Sequence, residues 1–398
     1  MTPARTGGKR DNPRVQRRGF TVRGIVQGVG FRPFVFSLAK RHGLAGFVLN
    51  DGDGVSIEVE GRAEEIERFA RALEQEAPEL ARIDLVRVRD LELSHQAGFT
   101  IEASARRGGS ALIPADSGTC DDCLRELFDP ADRRYRYPFI NCTQCGPRFT
   151  IVTGVPYDRP LTTMAGFPLC PDCRREYDDS ADRRFHAEPI ACPVCGPALS
   201  LPIEEAAALL QEGAILAVKG LGGYHLACAA DDEGAVSRLR ARKHREDKPF
   251  ALMTNEPDVL GELSDDERTL IGSRARPIVV VRRRWDAPAA PSVAPDSPWL
   301  GLMLPYTPLH HLLLEGVGAA LVMTSGNRSD EPIVYEDGEA RVRLGPIADA
   351  FLSHDRPIHR RCEDSVVRAA FPLRRSRGYA PEGIRMPVTA ARPIVAVG

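Results

Sequence analysis

What the chain lacks narrows its reading first. No stretch approaches the roughly 18 consecutive apolar residues that span a bilayer. The opening MTPARTGGKRDNPRVQRR has no apolar h-region and does not read as a secretory signal. Arg17-Arg18 also lack the apolar run of a twin-arginine export signal. Residues 1–18 therefore read as a disordered tail, and a cytoplasmic location is expected, with no membrane partner. Charge of one sign is missing too. Against 53 Lys and Arg stand 55 Asp and Glu, a net −2, so no bulk attraction to nucleic acid arises. The composition, 43% hydrophobic and 27% charged, is that of a globular protein. At 398 residues the chain exceeds one ordinary core, and two to four domains are expected.

Residues 19–104 read strand, helix, strand, strand, helix, strand. Phe20, Val22 and Val26 alternate; Phe31, Phe34, Val35 and Leu38 recur at helical spacing; Gly43 ends that helix. Val55, Ile57 and Val59 alternate again, and Ile66, Phe69 and Leu73 mark a second helix. This order is the ferredoxin-like βαββαβ arrangement. The turn Gln27-Gly28-Val29-Gly30-Phe31 enters the first helix, with Arg32 just behind it. It is neither G-x-G-x-x-G nor a P-loop, so a nucleotide fold is not indicated. A glycine-rich turn at a helix start can aim several amides at one anion, and a guanidinium adds a planar fork. A plain tight turn with a solvated arginine is the alternative. Asn50, ending a strand before another turn, tips the balance toward an anion site. With it, VQGVGFRPFV and GLAGFVLNDGDGVSIEVEG resemble the acylphosphatase signature. That resemblance implies that Arg32 and the loop amides grip a phosphate and that Asn50 positions the attacking water.

Eight of the ten cysteines lie between Cys120 and Cys195. They form a tandem repeat, C-x2-C-x18-C-x2-C-G-P, offset by fifty residues. Cys120, Cys123, Cys142 and Cys145 make one set; Cys170, Cys173, Cys192 and Cys195 make the other. Four thiolates complete a tetrahedral, closed zinc site, so two structural Zn²⁺ ions are expected rather than disulfides or catalytic metals. Pairing within each copy is expected, with crossed pairing left open by spacing. Arg133-Arg134 and Arg183-Arg184 are the basic clusters, each among aspartates, which favours Asp–Arg staples within each module over nucleic-acid binding. His186 reads as a surface residue. The zinc region spans 105–199, its cores 120–145 and 170–195, after a linker-like ARRGGSALIPADSGT.

Residues 200–390 read as mixed α/β. Lys219 follows the apolar AILAV, and Arg242, Lys243, Arg245 and Lys248 crowd one short run. Alone, such a run is usually a solvated helix face. With the hydroxyl-rich loops it suggests a triphosphate pocket. KGLGGYHLAC, RLRARKHREDKPFALM, GLMLPYTPLH, VMTSGN and RRCEDSVVR together resemble the YrdC-like family, which activates a carboxylated amine with ATP. The resemblance places Lys219, Arg242, Lys243, Arg245 and Lys248 on phosphates and carbamate. It places Thr307, Ser325, Asn327, Ser365, Arg375 and Ser376 around the nucleotide, with Mg²⁺ as the counter-ion. Cys228 and Cys362 read as packing residues.

The whole series is an α+β multidomain chain: acylphosphatase-like domain, two C4 zinc modules, mixed α/β YrdC-like domain. In that order it resembles the hydrogenase-maturation carbamoyltransferase (HypF) family. The resemblance implies hydrolysis of carbamoyl phosphate to carbamate, its conversion with ATP to carbamoyl-adenylate, and delivery of the carbamoyl group to the C-terminal cysteine of HypE, on the way to the cyanide ligands of [NiFe]-hydrogenase. The apolar run at 391–398 is read as the start of a further, transferring domain that is missing here. The rival reading is a zinc-containing threonylcarbamoyl-adenylate synthase-like protein of tRNA modification.

Overall fold

A computed structural model describes residues 15–105, 109–329, 331–369, 371–384, 387–388, 391–392 and 394–395. The first unit contains β1 (Val15–Ile25), α1 (Phe31–Arg41), β2 (Ala45–Asp51), β3 (Gly54–Arg62), α2 (Ala63–Gln75), β4 (Arg82–Leu91) and β5 (Phe99–Ile101). Its sheet runs β4-β1-β3-β2-β5, antiparallel except for the parallel pair β2·β5. That is the expected βαββαβ order with one added edge strand.

The periodicity explains the layers. Alternate residues Phe20, Val22, Val48 and Ile57 turn to one face, where Val35, Leu38, Ile66, Phe69 and Leu73 of the two helices cover them. Phe20 meets Phe69 edge-on at 5.7 Å. Burying each such side chain contributes about 1.5–3 kcal/mol. The tail is shorter than expected. Val15 already pairs with Arg62, so residues 15–18 belong to β1, and residues 1–14 lie outside the described residues. The acidic β3 explains it, since Arg17 forms an ion pair with Glu58. A register shift at Gly24 (φ 129) bends β1 into the phosphate-loop turn. A Cβ at Gly24 would stand 2.0 Å from the Arg82 carbonyl oxygen.

The two cysteine repeats follow, each with one short helix, α3 (Asp121–Phe128) and α4 (Pro171–Asp178). Neither builds a core of its own size, as their length requires. Leu127, Tyr137, Phe139, Ile140 and Ile151 of the first join the core of the third unit. The second keeps a cluster of Cys173, Ala187, Ile190 and Cys192, and sends Phe185 against Phe36 of the first unit at 5.4 Å. The segment read as a linker is tied down as well. Asp116 accepts hydrogen bonds from the amide and hydroxyl of Thr150 and the amide of Arg148, and Ser117 bridges to Gly146.

The third unit comprises α5 (Ile203–Gln211), β6 (Leu216–Lys219), β7 (Tyr224–Ala229), α6 (Glu233–Lys243), β8 (Ala251–Met253), α7 (Pro257–Leu260), β9 (Gly261–Glu262), α8 (Asp265–Gly272), β10 (Ile278–Arg283), β11 (Trp299–Met303), α9 (Pro308–Val317), β12 (Leu321–Ser325), α10 (Asp337–Leu344), β13 (Ala350–Leu352), β14 (Val366–Arg368) and β15 (Phe371–Arg374). Its mixed sheet runs β13-β6-β7-β12-β8-β11-β10-β14-β15, with β9 on β10. Two apolar clusters flank it. One holds α5 and α9 with the first cysteine module, the other α6 and α10. The basic run is not a helix face. α6 stops at Lys243, His244 takes φ 52, and Arg245 to Lys248 form a loop. Of the run expected to open a further domain, residues 393 and 396–398 lie outside the described residues, and the rest belongs to no helix or strand.

Candidate active sites and metal centres

The glycine turn leaves its amides free at the start of α1 among the described residues. Gly28 and Gly30 take φ 71 and 74, a region that favours glycine. Among the described residues nothing accepts from the amides of Gly28 to Phe31. Arg148, from the first cysteine module, donates to the Gly28 carbonyl at 2.6 Å. Gln27 donates to the carbonyls of Asp51 and Gly54, so it braces the loop against the β2–β3 turn. Val29 is buried beneath it.

Arg32 and Asn50 come together here, and a third party joins them. Arg32 is 8% exposed and binds Asp158 at 3.0 Å and Glu188 at 2.8 Å, both from the cysteine region. Asn50 donates to the Tyr157 carbonyl at 3.4 Å, and among the described residues its buried Oδ1 has no partner. A void of about 20 Å³ remains between them, on the scale of one water. Burial opposes the Arg32 charge, but Glu188 and Asp158 outweigh it and hold its pKa above the ordinary value. Burial pushes the Glu188 carboxyl up, while Arg32 pulls it down. His186 lines the same void instead of the surface, and burial pushes its pKa down to about 4.

The cysteines group within each copy, not across copies. Neighbouring sulfurs lie 3.5–3.8 Å apart in the first set and 3.6–3.8 Å in the second. A tetrahedron of four sulfurs at about 2.3 Å from one zinc has edges of about 3.8 Å, so both sets fit that ion. The arginines, however, do not staple their own modules. Arg133 and Arg134 reach across to Glu176 of the second copy, and Arg133 donates to Cys173 Sγ at 3.1 Å. Fifty residues on, Arg183 and Arg184 reach back to Glu126, and Arg183 donates to Cys123 Sγ at 3.3 Å. Arg134 and Arg184 also bind the carbonyls of Ala191 and Asn141. The aspartates cap turns instead: Asp132 accepts from the Arg134 amide and Asp182 from the Arg184 amide. Four thiolates on a divalent metal leave two negative charges, which the exchanged guanidinium groups offset.

In the third unit a cleft of about 1080 Å³ opens over β8, β10, β11, β12 and β14. Lys243, Arg245, Lys248, Ser325 and Asn327 line it as expected. Lys243 is 1% exposed and donates to the Ser325 carbonyl and Asn327 Oδ1, each at 2.6 Å. Burial, with Arg245 beside it, pushes its pKa down to about 7. Burial likewise lowers Arg245 to about 10. The other expected residues stand elsewhere. Arg242 points away from the cleft and pairs with Asp349 at 2.7 Å. Lys219 is buried on Asp337 and the His354 carbonyl, and with Thr307 it lines a smaller cavity against the first cysteine module. Ser365 binds the Arg377 carbonyl and the Ser376 amide behind the cleft wall, Ser376 meets Cys362, and Arg375 caps the Glu382 carbonyl. Sequence reasoning missed Trp299, Glu363, Asp364 and Arg374, which line the cleft, and Tyr157, Asp158 and Glu188 at the anion cradle. Glu188 directly follows His186-Ala187 in the repeat, but no spacing rule ties it to Arg32.

Known proteins agree with this division. The acylphosphatase family model matches residues 18–101, the "HypF finger" model residues 119–152 and 169–201, and the Sua5–YciO–YrdC model ("Telomere recombination") residues 208–376. The chain is 50% identical to carbamoyltransferase HypF2 of Cupriavidus necator over 94% of its own length and 51% of that protein's. It thus spans about half the length of the curated relatives it matches. A crystal structure of full-length HypF in a phosphate- and nucleotide-bound form superposes with a TM-score of 0.90 at 46% identity, covering 94% of this chain and 52% of that one. The first unit alone is 43% identical to the acylphosphatase of Mannheimia succiniciproducens, over 97% of that enzyme.

Two outcomes are expected from this geometry. Glu176→Ala leaves Arg133 and the buried Arg134 without their carboxylate, a loss of about 2–4 kcal/mol for a partly buried network. Both metals should then pass to a chromogenic chelator faster and together; release from one module alone would contradict the exchange. The second concerns Lys243, whose pKa burial pushes down to about 7. A bound polyphosphate restores its charge, so binding takes up a proton above that pH. Nucleotide affinity should fall as pH rises from 7 to 9, by at most about tenfold per unit, in calorimetric titrations. Lys243→Arg should flatten that slope.

Proposed function

The chain belongs to the HypF carbamoyltransferase family, as its acylphosphatase, zinc-finger and YrdC-like part, and from that premise we propose that its two sites act in turn on one small acyl group. At the first, the loop amides of Gly28 to Phe31 and the Arg32 fork hold the phosphate of carbamoyl phosphate. Asn50 Oδ1, which has no partner, accepts from the attacking water. Water adds to phosphorus, the acyl–oxygen–phosphorus bridge breaks, and carbamate leaves with the bridging oxygen. This bond is already activated, so positioning and charge stabilisation suffice.

At the second site, carbamate oxygen attacks the α-phosphorus of ATP and displaces pyrophosphate, giving carbamoyl-adenylate. Lys243, Arg245, Lys248 and Arg374 are the cationic groups that line this cleft. Mg²⁺ accompanies the triphosphate as its counter-ion. Two zinc ions are structural, since all four positions of each are sulfur. Lys219 and Thr307, set apart from the cleft, suit the carbamate more than the nucleotide. Transfer to the HypE cysteine is assigned to the part of the relatives outside the half matched here. The chemistry is expected in the cytoplasm. Among the described residues no helix is long and apolar enough to cross a membrane.

The observation that carries this reading is the coexistence of a one-anion cradle and a nucleotide-sized cleft on a single bracket. Buried polar groups also run from the cradle toward the smaller cavity of Lys219 and Thr307. Among the described residues Tyr157 O–H, Asp116 Oδ2 and Arg356 Nε have no partner, and Asp116 acts electrostatically on both Tyr157 and Arg356. Such a seam supports a shielded route for carbamate, which decomposes in water.

The test is pyrophosphate release from ATP. It should require carbamoyl phosphate, fall at least about 100-fold in Arg32→Ala, and return when carbamate is supplied. Release driven equally by threonine and bicarbonate would instead favour the tRNA-modification reading.

A further inference from the structure

Glu188 comes from the second zinc module, yet it sits on the phosphate clamp of another unit. Its anchoring is asymmetric. Oε2 accepts from the Arg159 amide at 2.8 Å, and the Tyr177 hydroxyl lies 3.1 Å from both oxygens. Oε1 accepts from Arg32 Nη2 at 2.8 Å. A phosphate in the cradle draws the Arg32 fork to itself, because a dianion is the better bidentate partner. Glu188 is 3% exposed and keeps its Arg159 and Tyr177 contacts, so it does not follow. Oε1 then keeps only the Tyr177 hydroxyl, which it shares with Oε2, in the small void that Tyr157, His186 and Pro189 also line.

We propose that Glu188 determines which acyl phosphate this site accepts, by reading the –NH2 of a carbamoyl group. The inference rests on the carbamoyl phosphate reading above. A carbamoyl amide donates an N–H to Oε1, and its second N–H points toward the Tyr157 carbonyl, which already accepts from Asn50. An acetyl group of nearly the same size offers a methyl and does not replace the donor that Oε1 lost with Arg32. Sites built around a substrate N–H discriminate strongly against analogues that lack it. The zinc module thus supplies selectivity that the five-stranded unit does not contain.

The experiment compares phosphate release from carbamoyl phosphate and acetyl phosphate by the full chain, as kcat/KM. The untreated protein should prefer carbamoyl phosphate by about 10- to 100-fold. Glu188→Ala, with zinc content measured to confirm that the module is intact, should lower that ratio at least about tenfold. Glu188→Gln, whose amide oxygen still accepts, should retain most of it. A ratio near one in the unsubstituted protein overturns the inference and needs no variant to do so. Equal losses on both substrates in Glu188→Ala overturn it too. Failure to hydrolyse either substrate removes the parent reading as well, which separates the two failures.

Discussion

The arrangement of this molecule depends on one reciprocal exchange. Each cysteine module lends two arginines to the other. Arg133 and Arg134 meet Glu176 and the Cys173 sulfur; Arg183 and Arg184 meet Glu126 and the Cys123 sulfur. An arginine fork reaches a carboxylate and a thiolate at once, which a lysine would not do with fixed geometry. The desolvation of Arg134 and Arg184 is offset because each also donates to a main-chain carbonyl. Since one module shares its core with the third unit and the other packs on the first, the exchange sets the distance between two sites that neither unit could set alone.

The same bracket changes the electrostatics of the phosphate cradle. An anion clamp exposed to solvent keeps its charge by hydration. Arg32 is buried instead, and the cysteine region supplies two carboxylates and a carbonyl that stand in for water. The clamp is thus held ready, and an incoming phosphate competes with tethered acceptors rather than bulk solvent. The third unit uses a different device. There burial, with Arg245 beside it, lowers the pKa of Lys243.

Much of this was legible in the chain before folding was considered. Period-two and period-3.6 patterns located the strands and helices of residues 19–104, because one buried face per element leaves that trace. The cysteine spacing marked the metal ligands, since a C-x2-C knuckle can present both sulfurs to one ion, and the structure chose grouping within each copy over crossed pairing. Where reading failed, it failed by direction. Arg242 and Lys243 are neighbours on α6, and a helix turns adjacent residues about 100° apart, so one pairs with Asp349 outside while the other enters the cleft. Ser365 and Ser376 fell on the motif but behind the wall, bonded to main chain. The first four residues of β1 were assigned to a tail because polar edge residues carry no apolar signature, although Glu58 awaited Arg17.

By itself the sequence determined the three-part organisation and the eight cysteines at metal-ligand spacing. Those depend on local periodicity and short spacing, which chain geometry converts directly into shape. Only the tertiary structure decided which glutamate each arginine meets, which basic residues face the cleft, and that Glu188 stands on a clamp 156 residues earlier in the chain. Such contacts have no spacing rule. They follow from how the units pack, and packing is settled by the shared burial of many side chains at once.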